Sequence, residues 1–558
     1  MAIIKDKVLF LTTSPRTPEK MIPEIALLDN SFHGQTWDTD TQTDFMNVLR
    51  AENFFNGKGE NDPAFSARDR INRAPKSLGF VQLKPTIALS PAGQALISGR
   101  RTGEVLLRQM LKFQLPSPYH RPTESAAVFC VKPYLEIFRL IRELGSLRFD
   151  EMRLFGLQLT DYHKYDEIVK KINDFRVAKA QKTNNYKEFY RNYALNELKI
   201  IYAQEIASGN TKTRETNDNS VQKFLNTKFQ NMRDYADACF RYLRATGMVN
   251  ISYVGKTVSI DPDRIAEVDY FLENIDRDPV FVNDLEKYEK YLYSSALPVL
   301  LADNKEYLIS TIKDEFPDTI VDKNMTVDSL KDVLDSKIST RKTDLLEQQV
   351  IDMKEYKLYD EIQETYEQIL KDDVYDAPLM LEWNTWRAMT MLDGGDIMAN
   401  LKFDDYGKPM ATAQGNAADI VCDYGDFDVT VEVTMMSGQR QYEMESEPVA
   451  RHLGKLKLAT SKPVYCLFVA PTINEACVAH FYALHKMNIS YYGGNAIIIP
   501  LPLVVFQKMV EDSYNVAYIP TPKNIKQFFE YSATIANSSS DEKDWYEKIK
   551  NKALHWLD

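Results

Sequence analysis

Hydrophobic and polar residues alternate strictly between residues 427 and 434, and this period of two predicts a β-strand with one face toward a core. A shorter strand that opens at Asp419 and turns near Gly425 precedes it, so the two form a hairpin. Ile420 and Cys422 match the apolar face, which places Asp419 on the polar face beside Glu432. The apolar face consists of Phe427, Val429, Val431 and Val433, and the polar face of Asp428, Thr430, Glu432 and Thr434.

The polar face of this hairpin admits two interpretations. Polar positions on an amphipathic strand are typical of a surface exposed to water. Carboxylates gathered across a hairpin and the next element, here a segment with Glu443, Glu445 and Glu447, are also the oxygen ligands that Mg²⁺ prefers. The metal site is favoured by a resemblance in the order of the parts. A helix with an acid, an Asp-led hairpin, a Glu in the second strand and then a helix resemble the PD-(D/E)XK nuclease core.

The elements around the hairpin predict an α/β core within residues 373–558. Residues 378–392 form an apolar helix that contains Glu382, and a buried acid of this kind needs a metal-bound water or a basic residue as its partner. The continuous apolar run 464–470 predicts a central strand. A helix at 474–487 and a second buried strand at 495–500 complete the core.

The first 150 residues contain a helix, a strand pair and a second helix. Ser66 is predicted to cap a helix that carries Arg68, Asp69, Arg70 and Arg73 within the basic segment 64–76, and strands at 79–83 and 86–89 follow it. Ser90 and Pro91 then begin a helix that ends near Gly99. This order is typical of a winged helix, in which one helix enters the major groove of DNA. A basic helix that is merely solvated is the alternative.

Residues 151–275 repeat this arrangement, and residues 276–372 differ from it. A helix over 221–245 ends at Gly247, and strands at 248–254 and 257–260 form a second pair. Residues 276–372 lack glycine and mix acids and lysines with Leu, Ile and Tyr, which predicts helical connecting structure. The predicted divisions of the chain are therefore 1–150, 151–275, 276–372 and 373–558.

Length and composition limit the domain count, the kind of DNA contact and the compartment. A chain of 558 residues predicts three or more domains, and a net charge of −12 requires that any DNA contact be local. The five cysteines include no CxxC pair, so spacing indicates neither a zinc site nor a disulfide framework and favours a reducing cytoplasm. The longest apolar run, 496–506, is too short to span a membrane. No Walker A motif or G-x-S-x-G nucleophile pattern is present.

Several short stretches, in the same order along the chain, resemble the AlwI-type family of Type IIS restriction endonucleases. Collinear matches of this kind are more specific than any one of them. The stretches are SPRTPEK (14–20), AFSARDR (64–70), RDYADA (233–238) followed by RY (241–242), EW (382–383), GN (415–416) before Asp419, EVT (432–434), and MESEP (444–448) with RH (451–452).

The resemblance implies a multidomain α+β protein. Residues 1–150 and 151–275 would be winged-helix-like DNA-recognition subdomains, 276–372 a helical linker, and 373–558 an α/β PD-(D/E)XK nuclease domain. Carried over residue by residue, the catalytic and metal-binding acids of the family fall on Asp419, Glu432 and Glu445, with Glu382 on the preceding helix. The implied cofactor is Mg²⁺.

Two positions depart from the general nuclease motif. Ala418 stands where the motif has Pro, and Thr434 stands where it has Lys, so the usual cation beside the attacking water is missing. The resemblance implies that Glu445 binds metal or orients that water instead, with Glu443 and Glu447 as alternatives.

The implied function is that of a Type IIS restriction endonuclease, which binds a short asymmetric sequence in double-stranded DNA and hydrolyses phosphodiester bonds at a fixed offset outside it, with Mg²⁺. A strand-specific nicking enzyme of the same family, or a DNA-binding protein with an inactive nuclease domain, are the alternatives. The basic residues expected to contact DNA are Arg68, Arg70, Arg73, Lys76, Arg100, Arg101, Arg233 and Arg241.

The resemblance also implies partners and a compartment. One chain reads as one recognition unit and one catalytic centre, so cutting both strands calls for a second copy that pairs transiently through the cleavage domain on DNA. A separate DNA methyltransferase is expected to protect the recognised sequence. The expected location is the bacterial cytoplasm, without contact with a membrane.

Overall fold

The structure, a computed structural model, describes residues 2–52, 54–55, 62–181, 185–213, 218–392, 394–413, 416–516 and 520–557. Gly415 of the GN stretch lies outside the described residues. The chain divides into two compact units of mixed helix and strand. The first comprises residues 1–52, 57–252 and 256–335, and the second comprises residues 53–56, 253–255 and 336–558.

The first unit is mainly helical and carries short strands. Its strands are β1 Ala2–Ile4, β2 Val81–Gln82, β3 Ala88–Leu89, β4 His120–Pro122, β5 Leu147–Arg148, β6 Val249–Ser252 and β7 Thr257–Ile260. Its helices are α1 Met21–Phe32, α2 Thr39–Ala51, α3 Pro63–Ile71, α4 Ala74–Ser77, α5 Pro91–Ile97, α6 Thr102–Lys112, α7 Pro133–Leu144, α8 Phe149–Leu154, α9 Tyr165–Ala180, α10 Tyr186–Ile201, α11 Ala203–Ala207, α12 Val221–Ala245, α13 Ile265–Asn274, α14 Leu285–Leu292 and α15 Lys305–Glu315. Turns of 3₁₀ helix lie at Pro18–Lys20, Gly156–Gln158, Tyr162–Lys164, Pro262–Arg264 and Leu301–Asp303.

The predicted strand pairs of the first unit are present. β2 pairs antiparallel with β3, and Ser90 caps α5 by accepting a hydrogen bond from the Gly93 amide at 3.0 Å. β6 pairs antiparallel with β7, and β5 joins them on the other edge of β7. β1 and β4 form a further parallel pair.

The basic helix α3 begins earlier than predicted. Asp62, not Ser66, is its N-cap, because the Asp62 carboxylate accepts a hydrogen bond from the Phe65 amide at 2.9 Å and Pro63 occupies the first helical position. Ser66 therefore lies inside the helix and is buried. The helix ends at Ile71, and the separate short helix α4 follows it.

The second unit contains a five-stranded mixed sheet. Helix α16 Val327–Lys354 extends into this unit from residue 336. The remaining helices are α17 Tyr359–Leu370, α18 Ala377–Leu392, α19 Gly438–Ala459, α20 Glu475–Lys486, α21 Leu503–Asn515, α22 Pro522–Ser538 and α23 Glu542–Ala553, with a 3₁₀ turn at Ser490–Tyr492. The strands are β8 Asp396–Ala399, β9 Leu401–Phe403, β10 Pro409–Thr412, β11 Ile420–Asp423, β12 Asp428–Val433, β13 Val464–Ala470 and β14 Ile498–Pro502.

The predicted hairpin forms the middle of this sheet, whose strand order is β14-β13-β12-β11-β8. β11 pairs antiparallel with β8 and β12, whereas β12, β13 and β14 run parallel. All six residues of β12 are buried, so of the two interpretations of its polar face the surface exposed to water is wrong. The reason is that β12 has a strand on each side and contacts α18 and α19, so its polar residues lie inside the unit.

No helix in the described part of the chain is both long and apolar enough to cross a membrane.

Candidate active site

The hairpin register brings Asp419 and Glu432 together. Ile420 is opposite Val431, so Asp419, one residue before β11, comes opposite Glu432. Asp419 is half-buried and Glu432 is buried. Val433 is the last residue of β12 and lies beyond the part of that strand that pairs with β11. Its amide donates a hydrogen bond to Asp419 Oδ2 at 2.8 Å. The end of the hairpin therefore fixes one carboxylate and presents a second beside it.

These two acids are electrostatically unfavourable neighbours. Burial raises the pKa of Asp419 well above its usual value, and the charges of Glu432 and Glu445 raise it further. Burial likewise raises the pKa of Glu432, with added contributions from Glu445 and Glu382, against a lowering by Arg451. Like charges held together without a matching cation are the electrostatic signature of a cation-binding or catalytic site.

Glu445 joins the pair from helix α19. Thr434 donates its hydroxyl hydrogen bond to Glu445 Oε1 at 2.8 Å, and burial raises the pKa of Glu445. Glu443 and Glu447 are exposed, and Glu447 pairs with Arg451 at 3.1 Å on the same helix. Of the three glutamates in this segment, Glu445 is thus the one whose side chain turns toward the hairpin, because residues two apart on a helix face different directions.

Thr434 occupies the position at which the general motif has Lys, and its contacts explain what a hydroxyl does there. Besides donating to Glu445, the buried Thr434 Oγ1 accepts a hydrogen bond from the Met436 amide at 3.1 Å. The Thr434 side chain therefore links the end of β12 to helix α19 and orients Glu445. A lysine at this position would orient Glu445 only by forming an ion pair with it.

His452 also belongs to the site, although the sequence reasoning assigned it no role. His452 Nδ1 lies 2.8 Å from Glu432 Oε1, and His452 is half-buried beside the buried Glu432. Burial and the charges of Arg451 and Lys455 lower the pKa of His452 to about 4, so the ring is neutral near pH 7 and its Nδ1–H donates to the carboxylate. A signal was present in the sequence: His452 is seven residues, or two helical turns, beyond Glu445, so both share one face of α19.

Glu382 approaches the acids from helix α18. Its charge contributes to the raised pKa of Glu432, and Glu382 Oε2 accepts a hydrogen bond from Thr412 Oγ1 at 3.2 Å. The four predicted acids, Asp419, Glu432, Glu445 and Glu382, are thus drawn from two helices and one hairpin into a single electrostatic group.

The donor set suits a hard divalent cation such as Mg²⁺. All four acids offer carboxylate oxygens, and Mg²⁺ is commonly bound by one or two carboxylates while it keeps several waters. Among the described residues, Asp419, Glu432 and Glu445 do not form a group with one ligand atom each within 4.8 Å of the others. Two direct ligands, with the other acids reaching the ion through water, fit this spacing.

The basic residues predicted to contact DNA are mostly engaged within the first unit. Arg233 is exposed and, among the described residues, makes no ion pair. The others have partners: Arg68 with Gln42 at 2.7 Å, Arg70 with buried Glu24, Arg73 with Asp69, Lys76 over the Tyr119 ring at 4.8 Å, Arg241 with Asp237 at 3.2 Å, Arg100 with Asp328 and Asp332, and Arg101 with Asp328, Asp332 and Asp335.

The SPRTPEK stretch meets the RDYADA stretch and the RY pair that follows it within the first unit. Arg16 pairs with Asp234 at 2.9 Å, so the SPRTPEK stretch contacts the RDYADA stretch on α12. The Tyr242 hydroxyl donates to the Pro15 carbonyl at 3.0 Å, and the Ala74 amide, just beyond α3, donates to the Ser14 carbonyl at 3.3 Å. Segments more than 200 residues apart thereby build one surface, on which Arg16 and Arg233 are both accessible.

Comparison with known proteins identifies a family and similar solved structures. The family model "AlwI restriction endonuclease" matches residues 76–509. Among solved structures, the small subunit of the heterodimeric restriction endonuclease R.BspD6I is similar at 24% identity over 36% of this chain and 95% of that chain, with a TM-score of 0.29. No curated protein gives a significant match.

Proposed function

The chain belongs to the AlwI restriction endonuclease family, and we propose that it acts as a Type IIS enzyme that cuts DNA at a fixed offset from a short asymmetric recognition sequence, with Mg²⁺. The observation that carries this proposal is the acid group of the second unit. Burial raises the pKa of Asp419, Glu432 and Glu445, and the charge of Glu445 raises that of the other two further. Among the described residues none of the three forms an ion pair with Lys or Arg.

Asp419 and Glu432 would hold Mg²⁺ directly, with Glu445 and Glu382 reaching it through water. When bound, Mg²⁺ supplies neutralisation of the charge that develops on the phosphoryl oxygens. The Val433 amide fixes Asp419, and the His452 Nδ1–H fixes Glu432, so both carboxylates are oriented before an ion arrives.

The attacking water has a candidate orienting group in Glu445. Thr434 holds Glu445 Oε1, and the second oxygen has no hydrogen-bond partner among the described residues, so it is available to accept from a water molecule. Arg451, whose charge lowers the pKa of Glu432, is proposed to supply part of the positive charge that Lys gives at the Thr434 position in the general motif.

For the domain layout we propose the arrangement that the family resemblance implies: winged-helix-like recognition subdomains at 1–150 and 151–275, a helical linker at 276–372 and a PD-(D/E)XK domain at 373–558. The strand pairs β2–β3 and β6–β7, each beside a helix with basic residues, support the recognition role. Phosphate contacts would be carried by exposed basic residues such as Arg233, and base contacts by arginines whose guanidinium group reaches the major groove.

A comparison of two arginines tests this assignment. Arg233→Ala is expected to weaken binding to all DNA sequences alike and to reduce the salt dependence of binding by about one ion. Arg70→Ala is expected to lower stability instead, because it leaves buried Glu24 without its partner. Fluorescence anisotropy across salt concentrations, paired with urea unfolding of each variant, separates the two roles. Unchanged DNA affinity in Arg233→Ala would remove α12 from the interface.

The direct test of the activity uses the full-length protein, plasmid DNA and either Mg²⁺ or a chelator. Sequencing the ends of the product gives the recognised sequence and the offset, and ends at a constant distance outside one asymmetric sequence are expected. Glu445→Gln should lose cleavage, whereas Glu443→Gln, an exposed neighbour on the same helix, should keep it. Cleavage without divalent metal, or equal loss in both variants, would contradict the assignment.

A strand-specific nicking activity is the second candidate, because one chain presents one such acid group. For double-strand cutting we propose a transient homodimer that forms on DNA through residues 373–558, where DNA raises the effective concentration of two cleavage domains. On a one-site substrate, the cleavage rate per enzyme should then rise with enzyme concentration. A rate independent of concentration, with nicked product persisting, would identify a nicking enzyme.

The biological setting that we propose follows from this activity. An endonuclease with a short recognition sequence would cut its host's DNA, so a separate DNA methyltransferase that modifies the same sequence is expected. The proposed location is the bacterial cytoplasm, where both proteins would reach the chromosome.

A further inference from the structure

A mixed cluster of sulfur, imidazole and carboxylate groups lies in the first unit and has no part in the proposed cleavage. One ligand atom each from Cys130, Asp161 and His163 lies within 4.8 Å of the others. His163 Nδ1 is 2.8 Å from Asp161 Oδ1. A fourth group, Asp278 Oδ1, lies 3.8 Å from Cys130 Sγ.

The backbone brings these groups together from three distant segments. Residues 130 and 161 sit on adjacent extended strands joined by an isolated bridge, in which the Cys130 amide donates to the Thr160 carbonyl and the Tyr162 amide donates to the Cys130 carbonyl. The Tyr162 hydroxyl donates to Asp278 Oδ1 at 3.0 Å, which ties the third segment to the second. The cluster therefore spans nearly 150 residues of sequence without a spacing motif.

The two aspartates of the cluster lack a matching positive side chain. Among the described residues, neither Asp161 nor Asp278 forms an ion pair with Lys or Arg, and the one imidazole, His163, is neutral unless it is protonated. The charge of Asp278 interacts with that of Lys132 without an ion pair between them, so two carboxylates and a thiol have one nearby lysine, and a bound metal ion would supply the remaining positive charge.

We propose that Cys130, Asp161 and His163 form a binding site for a divalent transition metal of the zinc type, with Asp278, which lies beside Cys130 but outside this trio, as the fourth group that would move in to complete it. A thiol and an imidazole favour Zn²⁺ over Mg²⁺ or Ca²⁺, which take oxygen ligands. In a tetrahedral zinc site, sulfur and carboxylate ligands lie about 3.5 Å apart, close to the Cys130–Asp278 separation. The 2.8 Å His163–Asp161 contact would open by about half an ångström.

Binding would displace the Cys130 thiol proton to solvent, and the ion would connect segments 130, 161–163 and 278. An ion that binds only the folded protein stabilises it, so the site is expected to raise the melting temperature. Because it takes a different metal from the acids of the second unit, the site is expected to be independent of Mg²⁺-dependent cleavage.

The test uses the full-length protein, stripped of metal and titrated with Co²⁺, whose bond to a thiolate gives a near-ultraviolet charge-transfer band. One equivalent should produce the band, and Cys130→Ser should abolish it. His163→Ala should weaken binding at least about 100-fold, because even loss of a group that only supports a ligand costs 10–100-fold. Zn²⁺ should raise the melting temperature of the natural sequence and leave that of Cys130→Ser unchanged.

A matched control is available in His33. Its Nδ1 also lies 2.8 Å from an aspartate, Asp29, and its side chain is 65% exposed against 63% for His163, but it belongs to no such cluster of described residues. His33→Ala should bind Co²⁺ as the natural sequence does. If Cys130→Ser fails to fold, the test is the comparison of Co²⁺ binding by His163→Ala and His33→Ala, since both histidines are exposed. No band in the natural sequence, a band that persists in Cys130→Ser, or equal binding by the two histidine variants would overturn the proposal.

Discussion

Two trios of acidic residues in this molecule are treated in opposite ways. Asp328, Asp332 and Asp335 on α16 are neutralised by Arg100 and Arg101. Hydrogen bonds and charge from these arginines lower the pKa values of Asp328 and Asp332, whereas burial raises that of Asp335 despite its pairing with Arg101. These acids bind their own chain, so they serve structure.

The second trio consists of buried Glu432 and half-buried Asp419 and Glu445. Burial raises the pKa of all three, and the charges of neighbouring acids raise those of Asp419 and Glu432 further. Both trios consist of carboxylates, and what differs is whether arginines form ion pairs with them. An acid group without an ion pair to Lys or Arg among the described residues is prepared for a cation from solution, and this contrast gives the predictions below.

The largest expected effect is the loss of cleavage when one acid of the second trio is replaced. Asp419→Ala or Glu432→Ala should lower the cleavage rate at least about 10³-fold, since a direct metal ligand supports several kcal/mol of transition-state stabilisation. Specific DNA binding should persist. Cleavage rates measured in Mg²⁺ test the first expectation, and DNA affinities measured without metal test the second.

Asp423→Asn is the matched control for this loss. Asp423 lies at the other end of β11 and pairs with Lys462 at 2.7 Å, so it belongs to the compensated class. It should keep cleavage within a few-fold of the natural sequence, and a loss equal to that of Asp419→Ala would show that any acid of this strand is needed for folding alone.

A smaller loss is expected from the groups that orient the trio. Thr434→Val removes the hydrogen bond to Glu445 but keeps the volume, and His452→Phe removes the donor to Glu432. Each should lower cleavage about 10–100-fold, the usual range for residues that orient metal ligands. Thr434→Ser keeps the hydroxyl and should recover most of the activity. An inactive Thr434→Ser with a normal melting temperature would indicate a packing role for the Thr434 methyl group.

Breaking the compensated trio should affect stability and leave catalysis alone. Arg101→Ala leaves Asp328, Asp332 and Asp335 with less positive charge beside them, and it should lower the free energy of unfolding by about 1 kcal/mol, since exposed ion pairs contribute little individually. Urea unfolding measures the change. A loss of DNA affinity that exceeds the loss of stability would instead support the prediction that Arg101 contacts DNA.

How far the sequence predicted these regions depends on the distance between partners. The hairpin that holds Asp419 and Glu432 is local, and alternation within it was enough to place both acids on one face. Burial of that face was not predictable, because β13 and the helices that cover it come from elsewhere in the chain. The Ser66 cap was predicted wrongly because Asp62, four residues earlier, caps the helix instead.

Ion pairs between residues distant in sequence could not be predicted from the local pattern of polar and apolar residues. Arg70 is paired with Glu24, which is 46 residues away, and Arg101 with Asp328, which is 227 residues away, so neither pairing follows from local composition. Cysteine spacing indicated no zinc site because Cys130 and Asp278 are 148 residues apart and meet only in the folded unit.

The smallest predicted effect concerns the stability of the metal-free protein. The folded-state pKa values of Asp419 and Glu432 lie above the unfolded values of about 4, so their contribution to stability is fully present below pH 4 and is lost as the pH rises through the folded values. In a chelator near pH 8, Asp419→Asn should therefore melt a few degrees above the natural sequence, and near pH 4 the difference should vanish. Mg²⁺ should reduce this difference in melting temperature, because it stabilises only the protein with the natural acid group. Melting curves at both pH values, with and without Mg²⁺, test this, and Asp332→Asn on α16 should show the opposite sign because its pKa is lowered. A destabilised Asp419→Asn at pH 8 in chelator would mean that the fold does compensate this trio, and the contrast between the two acid groups would be lost.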